Sequence, residues 1–129
     1  RNAAILDAGL SKIEGLTPQP IDARQTEHSR HIYCLRVDPE VFGCTRDRLV
    51  EAINAEGLPL GAGYPVPLYK QPAYVNTGLY DDVQCPVCED LCYRSALWFS
   101  HAHLLSSEAD MHGIVEMFQK VKDNVSELS

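Results

Sequence analysis

Between Gly63 and Tyr74 the chain packs three prolines and three tyrosines, as Gly63-Tyr64-Pro65-Val66-Pro67-Leu68-Tyr69-Lys70-Gln71-Pro72-Ala73-Tyr74. Proline holds φ at about −65°, removes a backbone donor and pushes the residue before it toward extended conformations. Tyr64, Val66 and Gln71 are therefore expected to be extended, and the segment is expected to be a rigid, shaped loop between ordinary α/β elements. Such a loop holds aromatic hydroxyls in place with little entropy left to lose. Loops of this kind present ligand-contacting groups more often than plain connectors do, and a proline-rich structural crossover is the alternative.

At 129 residues the chain suits one domain over 1–129, able to bury roughly two-thirds of the surface its unfolded form exposes. With 45% hydrophobic and 22% charged residues it has a globular composition. No run approaches the roughly 18 to 20 apolar residues that a membrane span needs. A formal charge of −7 repels phosphate backbones, and the few basic residues are scattered, which disfavours nucleic acid. Nothing at the start reads as an export signal, so the expectation is a soluble, cytoplasmic protein without membrane or nucleic-acid partners. The opening Arg1-Asn2-Ala3-Ala4 has neither an initiator methionine nor a capping residue, which suggests a piece of something longer.

Ile5, Leu6, Leu10 and Ile13 form one apolar stripe at helical spacing, ending near Gly15. Residues 16–24, with Pro18 and Pro20, read as an extended connector. Residues 31–37 read as a strand, with Ile32, Cys34 and Arg36 on one side and Tyr33, Leu35 and Val37 on the other. Thr45 is a good N-cap for a helix over 46–56, closed by Gly57. Residues 58–62 suggest a second strand, 76–83 an irregular stretch, 85–95 a helix opening at Pro86, and 96–99 a third strand. Ser107-Glu108-Ala109-Asp110 resembles a capping box for a long helix carrying Met111, Ile114, Val115, Phe118, Val121 and Val125. The order predicts an α+β fold, a two-layer α/β small domain with a small, mostly antiparallel sheet of about three strands and helices on one face.

Cys85-Pro86-Val87-Cys88, with Cys92, His101 and His103 beyond, invites a zinc or thiol-redox reading. The packing reading is stronger. Positions 85, 88 and 92 share a helix face where cysteine acts as a small hydrophobe, and no second C-x-x-C completes a tetrahedral set. Asp81 and Asp82 would raise, not lower, the first thiol's pKa. Five cysteines, an odd number, fit reduced thiols better than a disulfide framework. His28, His31 and His112 stand apart, with His112 in the first turn of the last helix. No phosphate loop, nucleophile elbow or catalytic triad is present, so the residues yield no complete catalytic set, and zinc stays the weaker reading of the cysteines.

In their order, these segments resemble the C-terminal small domain of the DegT/DnrJ/EryC1/StrS aminotransferases. The resemblance covers nearly the whole chain. It rests on the Arg1-Asn2-Ala3-Ala4 helix, the His31-Ile32-Tyr33 strand, Thr45-Arg46-Asp47-Arg48-Leu49, Gly57-Leu58-Pro59, Tyr64-Pro65-Val66-Pro67-Leu68-Tyr69, Cys85-Pro86-Val87-Cys88-Glu89 and Ser107-Glu108-Ala109-Asp110-Met111. Each match is weak alone, and the series is specific. Tyr69, where sugar members often carry histidine, and the preceding Gly63-Tyr64 make the loop look like the branch that aminates inososes and other keto-cyclitols.

The resemblance implies a pyridoxal-phosphate enzyme that moves an amino group from glutamate or glutamine to a keto-sugar or keto-cyclitol and forms a homodimer when full length. It implies that the Schiff-base lysine, the aspartate partner of the cofactor and most phosphate contacts belong to an N-terminal large domain outside this chain. Lys12, Lys70, Lys120 and Lys122 match none of that site. What it leaves here is a substrate-side wall, with no catalytic and no cofactor-binding residue, inactive alone. Tyr64 and Tyr69 would offer hydroxyls to a polyol while Pro65 and Pro67 hold them in place, and the cofactor would supply the electron sink. A different class of function remains open beside it: a stand-alone interaction module whose tyrosine loop recognises a polyol or a protein without chemistry.

Overall fold

A computed structural model describes residues 1–128. Three antiparallel strands, β1 (Leu16–Pro18), β2 (Ile32–Val37) and β3 (Ala96–Ser100), form one sheet in the order β1-β2-β3. Three helices, α1 (Asn2–Leu10), α3 (Arg46–Ala55) and α6 (Glu108–Asp123), pack against one of its faces. Short helices α2 (Pro39–Phe42), α4 (Pro72–Val75) and α5 (Pro86–Asp90) lie in the connections. The α+β fold, the three-stranded sheet and the one-sided helical layer are as expected.

The core follows from strand alternation. Tyr33, Leu35 and Val37 of β2 and Leu97 and Phe99 of β3 are buried toward the helices. Tyr33 and Phe99 are register partners and stack with centroids 4.9 Å apart. They meet Leu6 and Leu10 of α1, Leu49 and Ile53 of α3, and Met111, Ile114 and Phe118 of α6. The helix ends use the caps the sequence supplies. Thr45 accepts from the Arg48 N–H, and Ser107 with Asp110 closes a complete capping box at α6, satisfying donors that would otherwise be orphaned.

Two expectations about strands are corrected. Residues 16–24 are not a plain connector, because Leu16–Pro18 pairs with β2 as an edge strand, the place where a proline is tolerated. Residues 58–62 are not a sheet strand. Both backbone groups of Leu60 are taken by the Asn54 side chain, its N–H donating to Oδ1 at 3.0 Å and its carbonyl accepting from Nδ2 at 3.0 Å. Pro59 brings no donor, so a single bridge remains, between Gly61 and Trp98. The expected helix over 85–95 is also divided, into α5 and a π-helical turn at Leu91–Ser95.

α1 is tied to β2 by a buried polar cluster. Arg30 has a left-handed backbone (φ 49°) and a side chain only 7% exposed. Its Nη2 donates to Asp7 at 2.7 Å, the Tyr33 hydroxyl donates to the other Asp7 oxygen at 2.7 Å, and the guanidinium lies 5.5 Å from the Tyr33 ring centroid. Burial, then the bond to Asp7, raises the Tyr33 pKa far above its usual value.

Candidate substrate-side wall

The second face of the sheet carries no helix of the α1, α3 and α6 layer, and its outward residues are largely apolar. Cys34 of β2 faces Trp98 of β3 across the strand pair, and Arg36 faces Ala96. Strands that must bury both faces read as continuous apolar runs, as Ala96-Leu97-Trp98-Phe99 does. Over this face lies a groove of about 500 Å³, lined by Pro18, Pro20, Tyr64, Trp98, Cys88 and Cys92 among others.

Of the tyrosine loop, Gly63 and Tyr64 line this groove, whereas Pro65, Pro67 and Tyr69 do not. Gly61 pairs with Trp98 through both backbone groups, at 2.8 and 2.9 Å. Arg46 donates from one nitrogen to the carbonyls of Ala62 (3.1 Å) and Cys92 (2.7 Å), clamping the loop's first arm to the π-helical turn. Tyr64 stands edge-on to Trp98, with centroids 4.9 Å apart and planes at 85°, and is 65% exposed. Pro65 is exposed and Pro67 is buried. Gln71 is extended ahead of Pro72, as expected (ψ 146°). The second half of the loop is more ordered than a plain loop, with a 3₁₀ turn at Leu68–Lys70 running into α4.

Tyr69 lies away from Tyr64 in role. Its hydroxyl donates to Glu89 of α5 and accepts from the Cys85 N–H at 3.2 Å. Lys70 pairs with the other Glu89 oxygen at 3.0 Å and lies near the rings of Tyr69 and Tyr93. The hydrogen bonds from Tyr69 and Lys70 lower the Glu89 pKa, and the same bonds raise those of Tyr69 and Lys70. Glu89 thus latches the loop onto α5. Nothing near Tyr69 in the sequence marks this partner, which lies 20 residues away.

In the 85–92 cluster Cys92 is buried and Cys85 and Cys88 are half-buried. Burial raises the thiol pKa of Cys34 and of Cys92, the latter helped by Cys88, which keeps both in the less reactive thiol form. His101 and His103 lie past the far end of β3, where His101 stacks on His31 at 5.8 Å and His103 meets Phe99 edge-on. Among the described residues no three metal-binding side chains converge.

Residues 1–119 match the model of the DegT/DnrJ/EryC1/StrS aminotransferase family. The chain belongs to that family. Among its relatives, the L-glutamine:2-deoxy-scyllo-inosose aminotransferase of Streptoalloteichus tenebrarius is 31% identical over 99% of this chain. The protein of the same name from Micromonospora echinospora is 32% identical over 98%. The chain spans about a third of the length of these curated relatives (33% of each). Of solved structures, a family aminotransferase from Brucella abortus is 25% identical with a TM-score of 0.71, covering 95% of this chain and 30% of that one. 3-Amino-5-hydroxybenzoic acid synthase, at 24% identity, shares the fold with a TM-score of 0.74, over 98% of this chain and 33% of its own.

Three of the lysines hold partners within the fold. Lys70 pairs with Glu89, Lys120 with Glu56, and Lys122 donates to the carbonyls of Val41 and Phe42. Lys12 is on the surface. No membrane-spanning helix occurs among the described residues.

Proposed function

We propose that this chain is the C-terminal small domain of a pyridoxal-phosphate-dependent aminotransferase that transfers an amino group from glutamine or glutamate to a keto-cyclitol or keto-sugar. The match of residues 1–119 to the family carries this reading. The chain supplies the substrate-side wall, with Tyr64 and Tyr69 on the loop that Pro65 and Pro67 stiffen. A large domain of the same polypeptide supplies the cofactor lysine, the whole enzyme is a homodimer, and this domain alone is inactive. Free Cys34, Cys44, Cys85, Cys88 and Cys92 fit a reducing compartment, so we locate the enzyme in the cytoplasm.

The groove's chemistry supports a neutral acceptor. Its walls are apolar and aromatic, and its cation, Arg36, reaches Asp90 at 3.5 Å. Lys70, the cation of the loop, pairs with Glu89. A nucleotide-linked sugar brings two phosphate charges that such a wall does not meet. An inosose brings none, and its ring carbons can lie on the exposed Tyr64 ring. The names of the relatives point to the same acceptor class.

The test is amination by the full-length parent enzyme, with L-glutamine as donor and either 2-deoxy-scyllo-inosose or a nucleotide-linked keto-sugar as acceptor. Amination of the inosose with little on the nucleotide sugar is expected. The reverse preference would overturn the neutral-acceptor assignment. Failure with every ketone would favour a binding module.

A further inference from the structure

We propose that Trp98 is a positioning residue that sets the ring of Tyr64 at the groove, and that Gly61 is glycine so that it can. The proposal rests on the aminotransferase reading above for its functional consequence, and on contacts within this chain for its geometry.

Trp98 is held first by its backbone. It lies in β3 opposite Cys34, and its backbone N–H and carbonyl both bond to Gly61. Its side chain is held next. A β-carbon added to Gly61 would stand 2.7 Å from the indole Nε1 and 2.9 Å from Cδ1. The indole therefore lies in the space that any other residue at 61 would need. Gly63 repeats the device one pleat along, with φ +77° and a β-carbon position 3.2 Å from that of Ala96. Two glycines thus press the loop arm against Ala96 and Trp98 of β3, while Arg46 clamps the Ala62 carbonyl between them.

Tyr64 emerges from this arm. Its ring is mostly exposed, and the aromatic contact that orients it is the edge-on one to Trp98. Pro65 restricts the Tyr64 backbone, but the χ1 rotamer is left to packing. Without the indole the ring has no wall to choose its rotamer. The phenol hydroxyl would then sample several directions, and a polyol face it is meant to meet would be met only part of the time. Trp98 need not touch the acceptor for this; it acts through Tyr64.

The experiment uses the full-length enzyme with cofactor and compares Trp98→Leu, Trp98→Phe and Gly61→Ala in the glutamine and inosose assay. Aromatic pairs of this geometry correspond to factors of about two to ten. The expected result is an acceptor KM raised about five- to tenfold by Trp98→Leu and by Gly61→Ala, with the glutamine KM within about twofold and Trp98→Phe largely rescued. An acceptor KM unchanged in Trp98→Leu, or donor and acceptor constants shifted together, would overturn the proposal. Near-ultraviolet circular dichroism supplies a readout that does not need turnover. If Trp98 orients Tyr64, then Tyr64→Leu, Trp98→Leu and the double variant lose the same aromatic band. Additive losses would overturn the proposal even if the wild-type enzyme proved inactive on inososes, an outcome that would count against the acceptor assignment alone.

Discussion

Removing the Asp7 carboxylate should destabilise the fold out of proportion to its position on a helix surface, because of what it leaves behind. Arg30 is nearly buried, and its Nη1 already lacks a hydrogen-bond partner. Asp7→Ala would strand the Nη2 group and the Tyr33 hydroxyl as well. A fully buried pair broken from one side costs about 3–5 kcal/mol. The Asp7 side chain is 31% exposed, so water replaces part of the loss and the lower figure of about 2–3 kcal/mol is expected. At the urea slopes usual for small domains this lowers the midpoint by about 1–2 M. Arg30→Met in the Asp7→Ala background should recover about half of the loss, since it deletes the uncompensated charge. Urea unfolding of the four proteins, followed by far-ultraviolet circular dichroism, closes the cycle. A loss below about 0.5 kcal/mol for Asp7→Ala, or a double variant no more stable than the single, would refute the reasoning.

Further outcomes test other parts of the structure. Gly15→Ala would place a β-carbon 2.6 Å from the Phe42 backbone nitrogen at φ +91°; a loss of at least about 2 kcal/mol by thermal melting is expected, and a neutral result would contradict the close approach. Ser107→Ala opens the capping box of α6 and should cost about 1 kcal/mol by the same assay. The Glu89 latch has a pH signature. Because the Glu89 pKa is lowered in the fold, its contribution is present above the ordinary glutamate value of about 4.3 and is lost as pH falls below it through the depressed folded value. The raised values of Tyr69 and Lys70 give a contribution lost only as pH rises past about 10. Amide hydrogen exchange at residues 68–71 should stay slow between these limits in the wild type and quicken across the whole range in Glu89→Ala. Exchange that is unaffected by Glu89→Ala would refute the latch.

The elements that signalled themselves locally were legible. Thr45 and Ser107 mark helix starts with caps that the structure uses, and the alternation of Tyr33, Leu35 and Val37 oriented β2 correctly. What escaped was decided by hydrogen-bond partners that the local apolar pattern does not show. Leu16–Pro18 is three residues with a proline and is a strand only because β2 lies beside it. Leu58-Pro59-Leu60 has apolar spacing like a strand's, yet the Asn54 amide takes the hydrogen bonds of Leu60 that a neighbouring strand would need. At the candidate site, the extended backbone of Gln71 followed from Pro72, whereas the Glu89 latch on Tyr69 is a tertiary contact with no local mark. Trp98 had a signal that could have been used. A tryptophan at an outward position of a strand that is apolar on both faces announces that the second face is covered or occupied.

The central claim is that this domain belongs to an enzyme that works through pyridoxal phosphate, and the visible absorbance of the full-length parent protein tests it most directly. The account predicts a coloured protein when the cofactor is supplied, bleached by an amino donor, glutamine or glutamate, and recoloured by an inosose. A full-length protein that stays colourless with cofactor present would contradict it.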